Sequence, residues 1–262
     1  MSAVTPPGAD PDAAHRPTQP AAHPADLQGQ TVVVIGGSSG IGLATARRAR
    51  GSGADVVLTG RDADRLADAG REVGARSVAA FDVTDLTRLT DFLRGLPAPV
   101  DHLLLTAGRP YYAPLADLDL DLVRRDVDLH LVVALHVARE AARLVRPGGT
   151  VLLMSGTGGR RRGPGLSVIG AMTAALQALT ANLAVEIAPV RVNLIAAGFV
   201  DSPLSATLLG DQLDERREEL RRTLPVRRVI DPDDVAALAV HLMTNTAVTG
   251  STYDIDGGQQ LL

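Results

Sequence analysis

The stretch that most constrains this chain is residues 31–46, TVVVIGGSSGIGLATA. Four β-branched residues, Val32, Val33, Val34 and Ile35, follow one another without polar alternation, as a strand buried on both faces requires. Gly36 opens a turn, Gly40 and Gly42 follow, and an Ala-rich helical pattern begins at Ile41. Strand, glycine turn and helix together can hold a nucleotide pyrophosphate. The glycines let the backbone turn tightly and approach the phosphates, while the helix N-terminus offers free N–H donors and partial positive charge. A glycine triad alone is weak evidence. Set between a strand and a helix, Gly36, Ser38, Ser39, Gly40, Ile41 and Gly42 read as a cofactor loop.

At 262 residues the chain suits one α/β domain with a large core. A net charge of −4 gives no reason to expect nucleic acid or an anionic membrane as partner. The absence of cysteine excludes disulfides, thiolate nucleophiles and Cys-ligated metals, and no metal is expected. No apolar run is read as approaching the roughly 20 residues of a membrane span. Residues 1–26, rich in Pro, Ala and Asp and without an apolar signal-peptide core, read as a disordered tail holding His15 and His23. Residues 27–262 read as the folded domain, with the cytoplasm the default location. All 26 basic residues are Arg, and the only tyrosines are Tyr111, Tyr112 and Tyr253.

The spacing is Gly36-x-x-x-Gly40-x-Gly42, and GGSSGIG resembles the short-chain dehydrogenase/reductase family, with Ile35 where that family usually has Thr. The resemblance extends from about Gly29 to Leu262. It implies a Rossmann-like, doubly wound parallel α/β sheet of about seven strands with helices on both faces. It also implies a nicotinamide dinucleotide, and a homo-oligomer (dimer or tetramer) paired through long helices.

Taken in order, residues 55–59 (DVVLT) read as the second strand, followed by Gly60 and Arg61. In dinucleotide folds an acid near this point holds the adenosine ribose, whereas an arginine accommodates a 2′-phosphate. Gly60 takes the acidic position, and Arg61 therefore points to NADP(H) or is simply an exposed arginine at a helix start. Residues 76–80 are a third strand, after which the resemblance places Asp82 and Val83 at the adenine. Asp82 and Thr84 also resemble ordinary helix caps. Residues 100–106 form the fourth strand and lead into Ala107-Gly108. The family's Asn-Asn-Ala-Gly has become Leu105-Thr106-Ala107-Gly108, which keeps the small pair beside the cofactor.

A long helix is expected over about 119–145, a fifth strand over 150–155 and a loop over 156–165 carrying Arg160, Arg161 and Arg162. These three arginines are either solvated or an anion site. A helix over 167–187 and a sixth strand over 191–195 follow. RVNLIAAGFVDSPL resembles the family segment at the nicotinamide end, with Val200 and Ser202 at its contact positions and Ala197-Gly198 replacing Pro-Gly. Residues 204–224 read as a helical flap with a solvated charged face, Asp231-Pro232 starts another helix, and the final strand lies in VTGSTYDIDGG.

The family's chemistry uses a tyrosine proton donor, a lysine four residues later that lowers its pKa, a serine and an asparagine. A free phenol titrates near pH 10, so a neighbouring cation is what makes it useful at neutral pH. Alignment places Ile169 at the tyrosine, Thr173 at the lysine, Gly156 (after Ser155) at the serine and Asp128 at the asparagine. No register slip restores the pattern, because no tyrosine lies between Tyr112 and Tyr253 and the chain has no lysine. Asp128, read as facing the pocket, could serve as a general acid if burial raises its pKa, unless Arg124 pairs with it. His130, two residues on, points elsewhere on a helix and reads as core or interface. His102, His136 and His241 read as structural. Tyr111 and Tyr112 either line the pocket and supply protons or pack a loop over the core, while Arg109 and Arg162 could bind an anion.

Three functions stay open. One is an NADP(H)-dependent oxidoreductase with a rebuilt proton-delivery site acting on an unknown small molecule. The others are a non-redox enzyme reusing the pocket and a nucleotide-binding protein without turnover.

Overall fold

The computed structural model describes residues 27–160 and 162–262. The expected tail and Arg161 lie outside the described residues.

Strand β1 (Thr31–Ile35) is buried at every position, as its apolar run requires. It lies between β2 (Asp55–Gly60) and β4 (Val100–Leu105), parallel to both. With β3 (Ser77–Ala80), β5 (Val145–Gly156), β6 (Arg191–Ala197) and β7 (Thr252–Ile255) it forms one parallel sheet in the order β3-β2-β1-β4-β5-β6-β7. The order reverses direction between β1 and β4. That switch point opens a crevice at the carboxyl ends of the strands, the usual ligand position in doubly wound sheets.

Alternation along the strands divides the core in two. Val33, Ile35, Leu103, Leu105, Val151 and Leu153 belong to one cluster, and Val32, Val34, Leu58, Leu104, Leu152 and Ile195 to the other. Each such side chain contributes roughly 1.5–3 kcal/mol on full burial. Helices α1 (Gly40–Gly51), α2 (Ala63–Val73) and α9 (Pro232–Thr244) cover the second cluster. Helices α3 (Leu86–Gly95), α5 (Val133–Leu144) and α6 (Ser167–Glu186) cover the first. Asp231 opens α9 with a capping box and Pro232 in the first turn, as its sequence indicates.

The long helix expected over 119–145 is interrupted. Helix α4 (Leu120–Val127) runs into one wider turn, Asp128–Val132, before α5 begins. There the Val133 N–H reaches the Asp128 carbonyl, five residues back. The fifth strand is longer than its expected core, and residues 203–223 form two helices, α7 (Pro203–Leu209) and α8 (Leu213–Thr223).

The reading that no apolar run reaches membrane-span length is corrected by α6, whose 20 residues suffice by length and composition. In this fold Ile169, Thr173, Leu176, Thr180 and Leu183 turn its inner face to the core.

Candidate active site at the switch point

The glycine loop is built by steric demand. Gly36 has φ +100°, and a Cβ there would stand 2.7 Å from both the Ala107 nitrogen and the Thr106 hydroxyl. A Cβ on Gly42 would stand 2.1 Å from the Gly36 carbonyl oxygen. Both positions therefore require glycine. Ser39 precedes α1 in extended conformation and its side chain makes no capping bond, and the first turn carries no acid. The helix N-terminus thus keeps donors and partial positive charge for an anion. These residues fit a dinucleotide pyrophosphate, the cradle being one that side chains would fill.

At the end of β2, a Cβ on Gly60 would meet the Ser38 hydroxyl at 3.0 Å, so the small residue makes room for Ser38. Arg61 is exposed beside it. Asp82 accepts hydrogen bonds from the Thr84 N–H at 2.9 Å and its hydroxyl at 2.7 Å. The Thr84 N–H, the Thr84 hydroxyl and the Arg61 charge hold the Asp82 carboxyl below the ordinary range, against its partial burial. The Arg61 charge thus acts on Asp82, with Val83 buried beside it.

Beyond Ala107-Gly108 lies a cavity of about 740 Å³ between the loop after β4, α4 and α7. Its wall is largely apolar (Leu122, Leu129, Phe199, Leu208, Leu209) and includes Arg109, Tyr111, Tyr112, Arg125, Asp126 and Arg216. Tyr111 and Tyr112 both line this cavity, and the Tyr111 hydroxyl accepts the Asp119 N–H at 3.0 Å. Tyr112 is half exposed; desolvation at the cavity wall, and then the Asp126 charge, raise its phenol.

Asp128 does not face this space. It is exposed and lines neither this cavity nor the smaller one beside His130, and Arg124 pairs with Asp121 instead. The carboxyl that enters the wall is Asp126, with a side chain only 2% exposed. Neither of its oxygens accepts a well-formed hydrogen bond. The His130 Nδ1 lies 2.9 Å from the Asp126 main-chain oxygen and 3.3 Å from Oδ1, an ion pair met at an angle. Burial pulls the His130 imidazole down, but the Asp126 carboxylate and carbonyl outweigh it and the pKa stands above the ordinary value. The other ring nitrogen, Nε2, is 3.4 Å from where a Cβ on Gly108 would be. His130 is packed among apolar side chains, as the core reading expects, with its ring at the carboxyl end of β4. The usable signal was the i,i+4 spacing of Asp126 and His130, which shares one helix face.

At the other rim, the buried Val200 pairs in a short parallel bridge with Ile230. Ser202 caps α7 reciprocally with Ser205, and its Cβ lies 3.7 Å from a Cβ placed on Gly40. The start of α7 thus overhangs the start of α1. Arg217 of α8 grips Asp201 with both branches, at 2.7 and 2.9 Å. Of the positions aligned with the family's catalytic residues, Gly156 and Thr173 come together. The buried Thr173 methyl would lie 3.9 Å from a Cβ on Gly156, and Ile169 is also buried. Arg160 pairs with Asp254, which gives it a structural partner. Among the described residues no group of acids and histidines could hold a metal ion.

Comparison with known proteins agrees with this geometry. A family model described as Enoyl-(Acyl carrier protein) reductase matches residues 35–260. Dehydrogenase/reductase SDR family member 4 of Sus scrofa is 32% identical over 248 residues, covering 88% of each chain. The solved MalC reductase/Diels-Alderase from Malbranchea aurantiaca superposes with a TM-score of 0.85 at 25% identity, covering 92% of this chain and all of that one. A small-chain dehydrogenase solved in complex with NADPH superposes at 0.77 with 27% identity, over 90% of this chain and 100% of that one. With its switch-point glycine loop, its parallel sheet order and these relatives, the chain belongs to the short-chain dehydrogenase/reductase family.

Proposed function

We propose that this protein is an NADP(H)-dependent oxidoreductase that reduces or oxidises a small molecule with a rebuilt proton-delivery site. The observation that carries it is the open α1 N-terminus over the Gly36–Gly42 cradle, with Arg61 exposed at the end of β2 and no acid at position 60. A planar guanidinium suits a 2′-phosphate. Asp82 and Val83 would face the adenine, Ala107-Gly108 the backbone side of the cofactor, and Val200 and Ser202 its nicotinamide end. Gly156, Ile169 and Thr173 carry no proton donor equivalent to the family's tyrosine and lysine, so acid catalysis falls to another group. Helices α7 and α8 would act as a flap over the 740 Å³ cavity, whose apolar wall and tyrosines suit an uncharged or anionic organic substrate. Leu135 and Val185, exposed on α5 and α6, would serve a homo-oligomer.

Calorimetric titration with NADPH and NADH tests the cofactor. NADPH should bind more tightly, and Arg61→Ala should cost about 1.5–3 kcal/mol for NADPH while leaving NADH unchanged. Equal affinities, indifferent to Arg61, would overturn the assignment.

A second reading is favoured by the small and apolar residues at the expected proton-donor positions: a non-redox reaction such as cyclisation in the same pocket. MalC is described as a reductase and a Diels-Alderase. Substrate conversion without any change in NADPH absorbance would select it.

A further inference from the structure

We propose that His130 is the proton-transfer residue of this site, with Asp126 as its positioning residue and Nε2 of the imidazole as the reacting atom. The inference rests on the reading that a nicotinamide dinucleotide binds at the Gly36–Gly42 loop.

The geometry assigns the two ring nitrogens different tasks. Nδ1 is committed to Asp126, with the main-chain oxygen at 2.9 Å and Oδ1 at 3.3 Å. Nε2 has no hydrogen-bond partner among the described residues and faces Gly108 at the switch point. The carboxylate is buried, accepts no well-formed hydrogen bond, and gains most by keeping a proton on the ring beside it. An Asp that fixes the tautomer and steadies the imidazolium is a recurrent arrangement in proton transfer.

The surroundings leave that pair in control. The groups packed around His130 from β4 and the loop after it, β5 and α6 are Leu105, Ala107, Leu153, Met154 and Leu176, none of which titrates. Asp126 is the charge that acts on the ring, and Tyr112 the titratable group coupled to that same carboxylate. Tyr112 has its phenol raised by desolvation and the Asp126 charge, which makes it a poorer donor near neutral pH, while the Tyr111 oxygen is tied to the Asp119 N–H. The wide turn at Asp128–Val132 places the helix face so that His130 points inward while Asp128 points out.

NADPH, held at the Gly36–Gly42 loop, would supply the hydride that reduces the carbonyl carbon of the substrate. The chain's part is the proton. As the carbonyl π pair moves to oxygen, the Nε2–H bond of His130 breaks and an O–H bond forms, leaving a neutral imidazole. Asp126 keeps its hold on Nδ1 throughout, and the ring regains its proton from solvent after turnover.

The test follows the ring by NMR in full-length protein carrying isotope-labelled histidine, with the His130 signal assigned by its loss in His130→Gln. Its titration midpoint should lie above that of free imidazole, fall in Asp126→Asn, and fall again in wild type when NADP⁺ replaces NADPH, because the oxidised nicotinamide is cationic. His130→Gln should keep its NADPH affinity. A midpoint indifferent to the cofactor's redox state overturns the proposal in wild type, whether or not Asp126→Asn folds. Failure of wild type to bind NADPH overturns the cofactor reading itself, and this proposal with it. The kinetic arm uses 9,10-phenanthrenequinone as the probe: where it turns over, His130→Gln should lower kcat by about 10²–10⁴-fold with KM little changed. Asp126→Asn should move the pH limb. Full activity in His130→Gln also overturns the proposal.

Discussion

The Thr106 hydroxyl donates to the Gly36 carbonyl at 3.0 Å and reaches the Ile35 carbonyl at 3.2 Å, tying the end of β4 to the glycine loop. Thr106→Val should cost about 1 kcal/mol in urea unfolding and weaken NADPH binding. Gly42→Ala should do more, because its Cβ has no room beside the Gly36 carbonyl. A loss of about 1–3 kcal/mol and at least tenfold weaker cofactor binding are expected. An Ala variant that binds as wild type would show that the loop yields elsewhere.

The Asp201–Arg217 pair fastens α8 to the start of α7 with a two-branched contact, both side chains about 30% exposed. Exposure to solvent keeps the contribution of this pair to global stability small. Arg217→Ala should therefore leave global stability nearly unchanged while speeding hydrogen exchange across residues 203–223. Exchange at the wild-type rate would mean that apolar packing, not this pair, holds the segment.

Arg191 is buried and donates to five carbonyl oxygens, those of Gly148, Leu242, Met243, Asn245 and Val248. It closes the C-terminal end of α9, where cationic donors are favoured. Arg191→Met fills similar volume but abandons these acceptors, and about 3 kcal/mol should be lost in chemical denaturation. A loss under 1 kcal/mol would show that water replaces the guanidinium.

His102 is buried in β4 against Gln30, its Nε2 2.7 Å from the Gln30 side-chain oxygen. Burial is the main cause of a pKa lowered to about 3, with Arg191 and Arg146 adding to it against the opposing pull of Asp101. A histidine with a depressed folded pKa stays neutral in the native state and charges more readily when unfolded. Its stabilisation is whole above the unfolded value near 6.5 and declines as pH falls towards 3, by up to about 1.4 kcal/mol per unit. Urea midpoints between pH 6.5 and 5 should fall in wild type and fall less in His102→Gln. Parallel slopes would refute the assignment.

The sequence by itself determined the fold class, the glycine loop between β1 and α1 and the absence of any lysine. These follow from short-range rules. An unbroken β-branched run has to be buried on both faces, glycines have to occupy positions where a Cβ would collide, and a missing residue type cannot be supplied by any folding. Only the tertiary structure decided which face of the 119–145 segment looks into the crevice. A regular helix fixes the relative directions of its side chains but not their absolute orientation, which depends on how the apolar residues of α5 seat against β4 and β5. The wide turn at Asp128–Val132 is a backbone event with no sequence signature of its own. It leaves Asp128 in solvent and turns His130 to Gly108, with Asp126 behind it in a wall where a carboxylate finds no better partner than the imidazole.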